Sequence, residues 1–123
     1  MTTFSNISFT KVKDCLVISL GEDLAGVTLD ELSKTVLERI HVEECHSMVF
    51  EFSSLKFLDS EEFEVLESIS KMAAMLGAKT IFSGINTGII AHLIANNVRT
   101  ENVKATLDLN EALDYLGIEV QFG

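Results

Sequence analysis

The stretch Phe57-Leu58-Asp59-Ser60-Glu61-Glu62-Phe63 sets a carboxylate, a hydroxyl and two further acids side by side. It stands between an apolar run over residues 48–52 and a segment over residues 60–76 whose apolar members recur at helical spacing. Those members are Phe63, Leu66, Ile69, Ala73 and Leu76, so the junction reads as strand, short loop, helix. Asp59 suits the N-cap, where its carboxylate accepts free backbone N–H groups of the first turn. Glu62, three residues on, completes a capping-box pattern. Ser60 becomes the first helical residue, with its hydroxyl near solvent at the positive pole of the helix. Two roles suit a hydroxyl there. It can simply begin a helix, which capping preference alone explains, or it can accept a phosphoryl group, because a helix N-terminus tolerates phosphate.

Other constellations point less far. His41, Cys45 and His46 are metal-ligand types close together, yet the sequence offers no second ligand pair, and structural zinc sites need one. A helix end with a histidine near the negative pole explains them, so no metal or other cofactor is expected. Gly84-Ile85-Asn86-Thr87-Gly88 lacks both the Lys-Ser/Thr of a P-loop and the three-glycine spacing of a dinucleotide fold. Ser60 has no Gly-x-Ser-x-Gly elbow, and His41, His46 and His92 stand in no recognisable relation to it, which argues against a hydrolase. A rival phosphoryl chemistry would use Asp59 itself as acceptor, as in response-regulator receivers. Glu22-Asp23 would then hold Mg²⁺ and Lys104 would be the late lysine. An opening hairpin, and an Asp59 that leads directly into a helix, count against that rival.

The elements that position these residues follow from the periodicities. Residues 7–12 alternate as an edge-type strand, Lys13-Asp14 makes a tight turn, and residues 15–20 follow as a more central strand. Thr28-Leu29-Asp30-Glu31 reads as a capping box before a helical stripe of Leu29, Leu32, Val36 and Ile40. After the strand at 48–52 and the helix at 60–76, Gly77 stops the chain as a left-handed C-cap. A short strand at 80–83, a short helix through Ile89 and Leu93, a strand at 103–106 and a last helix capped by Asp108 complete the order ββαβαβαβα. Strand–helix–strand units imply a mostly parallel sheet behind an antiparallel opening hairpin. One α/β domain over residues 1–123 is expected, with Leu66, Ile69 and Ala73 buried and Glu61, Glu64 and Glu67 exposed.

Bulk properties narrow the function further. A formal net charge of -10 repels phosphate backbones and anionic lipid, which argues against nucleic-acid and membrane-surface partners. No apolar run approaches membrane-spanning length, and residues 1–6 lack a basic region followed by an apolar core. A cytoplasmic location is therefore expected, with Cys15 and Cys45 as thiols and Cys15 a small buried hydrophobe.

The order ββαβαβαβα, with Asp59-Ser60 opening the second helix, resembles the STAS domain family of anti-sigma-factor antagonists and their relatives. Val49-Phe50-Glu51-Phe52-Ser53-Ser54-Leu55, followed by Leu58-Asp59-Ser60, carries the resemblance. Leu76-Gly77-Ala78-Lys79-Thr80, Ser83-Gly84-Ile85 and the segment through Val98-Arg99-Thr100 extend it over nearly the whole chain. Within the family the chain looks most like the stand-alone stressosome scaffold of the RsbS type.

The resemblance implies a non-enzymatic phosphoswitch. A partner serine kinase is held by the unphosphorylated domain, phosphorylates the serine matching Ser60, and is released. Leu58, Asp59, Ser60, Glu61 and Glu62 would form the partner-binding switch region, and scaffolds of this type co-assemble with sensor-bearing STAS paralogues. Three features depart from the pattern: Glu61 and Glu62 replace small or apolar residues, His92 stands where paralogues often carry a second phosphoacceptor threonine, and no Arg-Pro follows Gly84. An antagonist that binds an anti-sigma kinase directly is the next reading, and an accessory STAS subunit of a lipid transporter the third.

Overall fold

Lys13, at φ 58, reverses the chain between β1 (Ile7–Val12) and β2 (Cys15–Leu20), which pair antiparallel from Ile7↔Leu20 to Val12↔Cys15. In this computed structural model, which describes residue 4 and residues 6–119, the elements that follow are α1 (Leu29–Val42), β3 (Ser47–Glu51), α2 (Ser60–Met75), β4 (Lys79–Ser83), α3 (Thr87–Ala95), β5 (Lys104–Thr106) and α4 (Leu109–Tyr115). The sheet order is β1-β2-β3-β4-β5, with β2, β3, β4 and β5 mutually parallel. This is the mixed, mostly parallel α/β architecture that the sequence implies. Most of residues 1–6, read above as carrying no export signal, lie outside the described residues.

Alternation along the strands splits the core in two. Leu16, Ile18, Met48, Phe50 and Phe82 face a large cluster that α1, α2 and α3 close with Leu32, Val36, Ile40, Phe63, Leu66, Ile69 and Leu93. Cys15, Val17, Val49 and Ile81 face the other way, against Ala112 and Leu113 of α4. Helices on both faces explain why β2 and β3 read as nearly continuous apolar runs. Burial also pushes the Cys15 and Cys45 thiols above their ordinary pKa.

Phe82 is the aromatic hub of the larger cluster. Its ring lies 5.5 Å from Phe50, 5.3 Å from Phe52 and 5.8 Å from Phe63. Phe63 is the fourth residue of α2, so this cluster clamps the first turn of α2 onto the sheet.

Three local expectations are corrected. Thr28 makes no capping hydrogen bond through its side chain, and α1 opens instead on Leu32 N–H to Thr28 C=O at 2.9 Å. Helix α2 stops at Met75, leaving Leu76 47% exposed rather than inside. Gly77, at φ 87, turns the chain away in a Schellman arrangement, with Ala78 N–H on Ala73 C=O and Gly77 N–H on Ala74 C=O, and Ala78 takes the buried place. Glu67 is half-buried rather than exposed: its Oε2 is shielded without a partner while Oε1 lies 3.6 Å from Lys71. Leu66, Ile69 and Ala73 are buried, and Glu61 and Glu64 exposed, as the helical spacing requires.

Candidate functional site

The loop from β3 to α2 is tied down from three sides. Glu51, the last residue of β3, accepts the Ser53 N–H at 3.0 Å and the Ser53 hydroxyl at 2.6 Å. Lys56 donates its N–H to the Glu22 carbonyl at 2.7 Å, joining the loop to the segment after β2. The Asn86 side-chain amide donates to the Leu55 carbonyl at 3.4 Å, while its Oδ1 caps α3 by accepting the Ile89 N–H at 2.9 Å. Gly84 permits this closeness. At φ +74, a Cβ there would lie 2.9 Å from Glu51 Oε1 and 3.1 Å from Ser53 N.

Within the loop, Leu55 and Leu58 are buried and Phe57 is 72% exposed. The sequence assigned Leu58 to the partner-binding surface. At 3% exposure it supports the loop from below, and Phe57 is the apolar side chain that the loop exposes to solvent.

Asp59 and Glu62 form the reciprocal box expected of them. Asp59 Oδ1 accepts the Glu62 N–H at 2.8 Å, and Glu62 Oε1 accepts the Asp59 N–H at 3.0 Å. Ser60 is thereby relieved of any capping duty. It is partly exposed as the first residue of α2, and its hydroxyl has no hydrogen-bond partner among the described residues. Glu61 is exposed beside it. Replacing Asp59 with alanine removes the cap, and a loss of about 0.5–2 kcal/mol in unfolding free energy is expected by denaturant titration.

A cleft of about 580 Å³ opens beside the box, lined by Asp23, Phe57, Asp59, Glu62 and His92 among others. Desolvation pushes the Glu62 carboxyl above its ordinary pKa of 4.5, opposed by the Asp59 N–H and reinforced by the charges of Asp59, Asp23 and Glu61. The folded state thus binds this proton more tightly than the unfolded state does. The stability this lends is full below about pH 4.5 and is lost as pH rises through the raised folded value. Glu62→Gln keeps the acceptor oxygen and removes the titration. Its melting temperature is expected to gain on wild type as pH rises from the acid range toward neutrality.

His92, which the resemblance set at a second phosphoacceptor position but which no spacing related to Ser60, lies in the same cleft as Asp59. It enters the cleft from α3 together with Gly88 and Ile89, and the i, i+1, i+4 spacing of those three on one short helix is the signal that marks them. The receiver constellation is not assembled. Asp23 reaches the cleft with Asp59, but Lys104 begins β5 at the opposite edge of the sheet. Nor do His41, Cys45 and His46 converge: Cys45 is buried, His41 is exposed, and His46 Nδ1 lies 3.1 Å from the Asp14 carboxylate. Among the described residues, no group of three or more His, Cys, Asp or Glu is arranged to hold a metal ion, and no helix is long and apolar enough to cross a membrane.

The sequence profile of the STAS domain matches residues 6–112. The chain belongs to the STAS domain family. No curated protein matches it in sequence. Among solved structures, it is similar to an RsbS from Moorella thermoacetica carrying a serine-to-glutamate substitution (25% identity, TM-score 0.78, covering 92% of this chain and 96% of that one). A structure of the stressosome, described as a signal integration and transduction hub, is similar at 25% identity and TM-score 0.79, over 89% of this chain and 96% of that one. The anti-sigma factor antagonist SpoIIAA in its unphosphorylated form shares the fold at 17% identity and TM-score 0.69, over 94% of this chain and 99% of that one. In this STAS domain the Asp59-Ser60 pair sits as the sequence placed it, at the mouth of the strand–loop–helix junction.

Proposed function

We propose that this chain is a non-enzymatic phosphoswitch scaffold of bacterial stress signalling. Its switch end binds a partner serine kinase and releases it once Ser60 carries a phosphoryl group. The observation that carries the reading is the free hydroxyl of Ser60. Asp59 already caps α2, so no structural duty occupies the Ser60 side chain. A phosphate there would face the N–H groups of the first turn, a favourable interaction of about 0.3–1 kcal/mol at an exposed site. It would also set dense negative charge beside Asp59, Glu61 and Glu62, altering what docks without entering the core.

In chemical terms the chain supplies only an acceptor and a docking face. The Ser60 Oγ attacks the γ-phosphorus of ATP held by the kinase, ADP leaves, and the hydroxyl proton passes to the kinase's base. The likeness to RsbS and to a stressosome, each at 25% identity, supports the scaffold form of this switch. Its partners are then the kinase and sensor-bearing STAS paralogues, in homo- and hetero-oligomers within the cytoplasm, without cofactor, metal, nucleic acid or membrane.

The test is to purify the chain with its kinase, add ATP and Mg²⁺, and follow both mass and association. A single phosphoryl group on Ser60, accompanied by dissociation of the complex, is the expected result. Unmodified Ser60 after prolonged incubation would sink the proposal. Modification of Asp59 by a small phosphodonor without kinase would return the receiver reading. A chain that binds the kinase yet ignores every STAS paralogue in light scattering would be an antagonist acting alone.

A further inference from the structure

The end of the sheet remote from Ser60 gathers three lysines in one cleft, beside another cleft that holds Asp14. The lysine cleft, of about 500 Å³, opens where β4 begins at Lys79 and β5 at Lys104, with Lys71, Lys79, Lys104, Asn102 and Tyr115 on its walls. No Asp or Glu lines it, in a chain with 19 acidic residues against 9 Lys and Arg. Lys104 Nζ rests 4.5 Å above the Tyr115 ring, which is itself 59% exposed. Lys79 has no acidic partner among the described residues, and Lys71 reaches only the 3.6 Å contact with Glu67. The cleft is therefore cationic with one aromatic wall.

The switch end offers its converse. Phe57 projects into solvent, Asp59 and Glu61 follow within four residues, and Glu64 lies one turn further along α2. The two features sit at opposite edges of the same parallel strands, so one copy cannot bring its own Phe57 to its own cleft. We infer that the lysine cleft of one copy receives residues 57–61 of a second copy, head to tail. Phe57 lies against Tyr115, and the Asp59 and Glu61 carboxylates face Lys79 and Lys104. Such a contact is heterologous and propagates from copy to copy.

The net charge of -10 on each copy opposes approach. At physiological ionic strength that long-range repulsion is screened beyond about 8 Å, while the close carboxylate–lysine pairs are screened less. Phosphorylation of Ser60 would add charge to the segment facing three lysines and would tighten this contact while loosening a kinase. The contact deepens the homo-oligomer part of the reading above and uses the same switch end, but it requires no kinase, so its failure would leave the Ser60 switch standing.

That test is sedimentation velocity of the full chain over a concentration series in about 0.15 M salt. Lys79→Glu with Lys104→Glu makes both ends acidic; Glu61→Lys with Glu64→Lys sets two positive charges at the switch end, opposite the lysine cleft. All four positions are exposed, and circular dichroism checks that each variant folds. Wild type is expected to self-associate, and each double variant to do so at least about tenfold more weakly, since like charges now meet. Mixing the two variants restores association, because each end again meets its complement. Phe57→Ala gives a second loss without any change of charge. A wild type that stays monomeric throughout, a lysine variant that associates like wild type, or a mixture that fails to recover would each overturn the inference.

Discussion

Phosphorylated Ser60 is expected to weaken kinase binding by on the order of 100-fold or more, while Ser60→Ala binds within a few-fold of the unmodified protein. The hydroxyl is small, partly exposed and without a hydrogen-bond partner, so its removal takes little from either the fold or a docking face. The phosphoryl group adds about -1.5 to -2 charge units. It lands beside Asp59, Glu61 and Glu62, so a partner face matched to a neutral hydroxyl would meet a dense negative cluster. Like-charge juxtaposition at an interface costs several kcal/mol, and each 1.4 kcal/mol is about tenfold in affinity. The helix pole returns at most about 1 kcal/mol, so repulsion wins. Ser60→Asp carries one charge and fewer oxygens and should fall between the two. Kinase affinity measured by calorimetry for wild type, phosphoprotein, Ser60→Ala and Ser60→Asp checks this, with thermal melts to confirm that all four remain folded. Equal affinities across the set would reduce Ser60 to an ordinary helix start.

How much of this was legible in the sequence depends on the range of each interaction. The Asp59–Glu62 box was legible because both partners lie within one turn, and a carboxylate at the N-cap has few other places to go. Thr28 and Glu31 present the same pattern, yet the Thr28 side chain makes no cap, because composition does not determine which rotamer a hydroxyl adopts. Apolar spacing placed Leu66, Ile69 and Ala73 inside, but it also carried Leu76 inside, one residue past the last helical one. There Gly77 ends the period on which the argument rests.

The candidate site was less legible than the helices around it. In a loop no period assigns a face, so nothing local distinguished buried Leu58 from exposed Phe57. His92 and Asp59 share a cleft because β3 and β4 are parallel neighbours whose following segments emerge at the same end of the sheet. The lysine cleft is assembled from α2, β4, β5 and α4, and no single stretch of sequence contains it.

Phe82→Ala is expected to be the most destabilising single change, costing about 3–5 kcal/mol. Its ring is 1% exposed and lies against Phe50, Phe52 and Phe63 at once, so truncation leaves a cavity bordered by rings from β3, from the residue that follows it and from α2. Close-packed walls relax only partly, and the cavity adds to the lost transfer free energy. Against a total stability of about 5–15 kcal/mol, that is a large share. The melting temperature should fall by roughly 10–25 °C. Because Phe63 sits three residues after Ser60, the damage should reach the switch first. Amide exchange in the first turn of α2 should then accelerate more than exchange in α4, which packs on the opposite face. Phe57→Ala supplies the contrast. It removes an equally large ring that is 72% exposed, so unfolding free energy should change by no more than about 0.5 kcal/mol, while docking at the switch end weakens. If the two variants melted alike, the division between a buried aromatic clamp and an exposed aromatic contact would be wrong, and with it the assignment of Phe57 to a binding face.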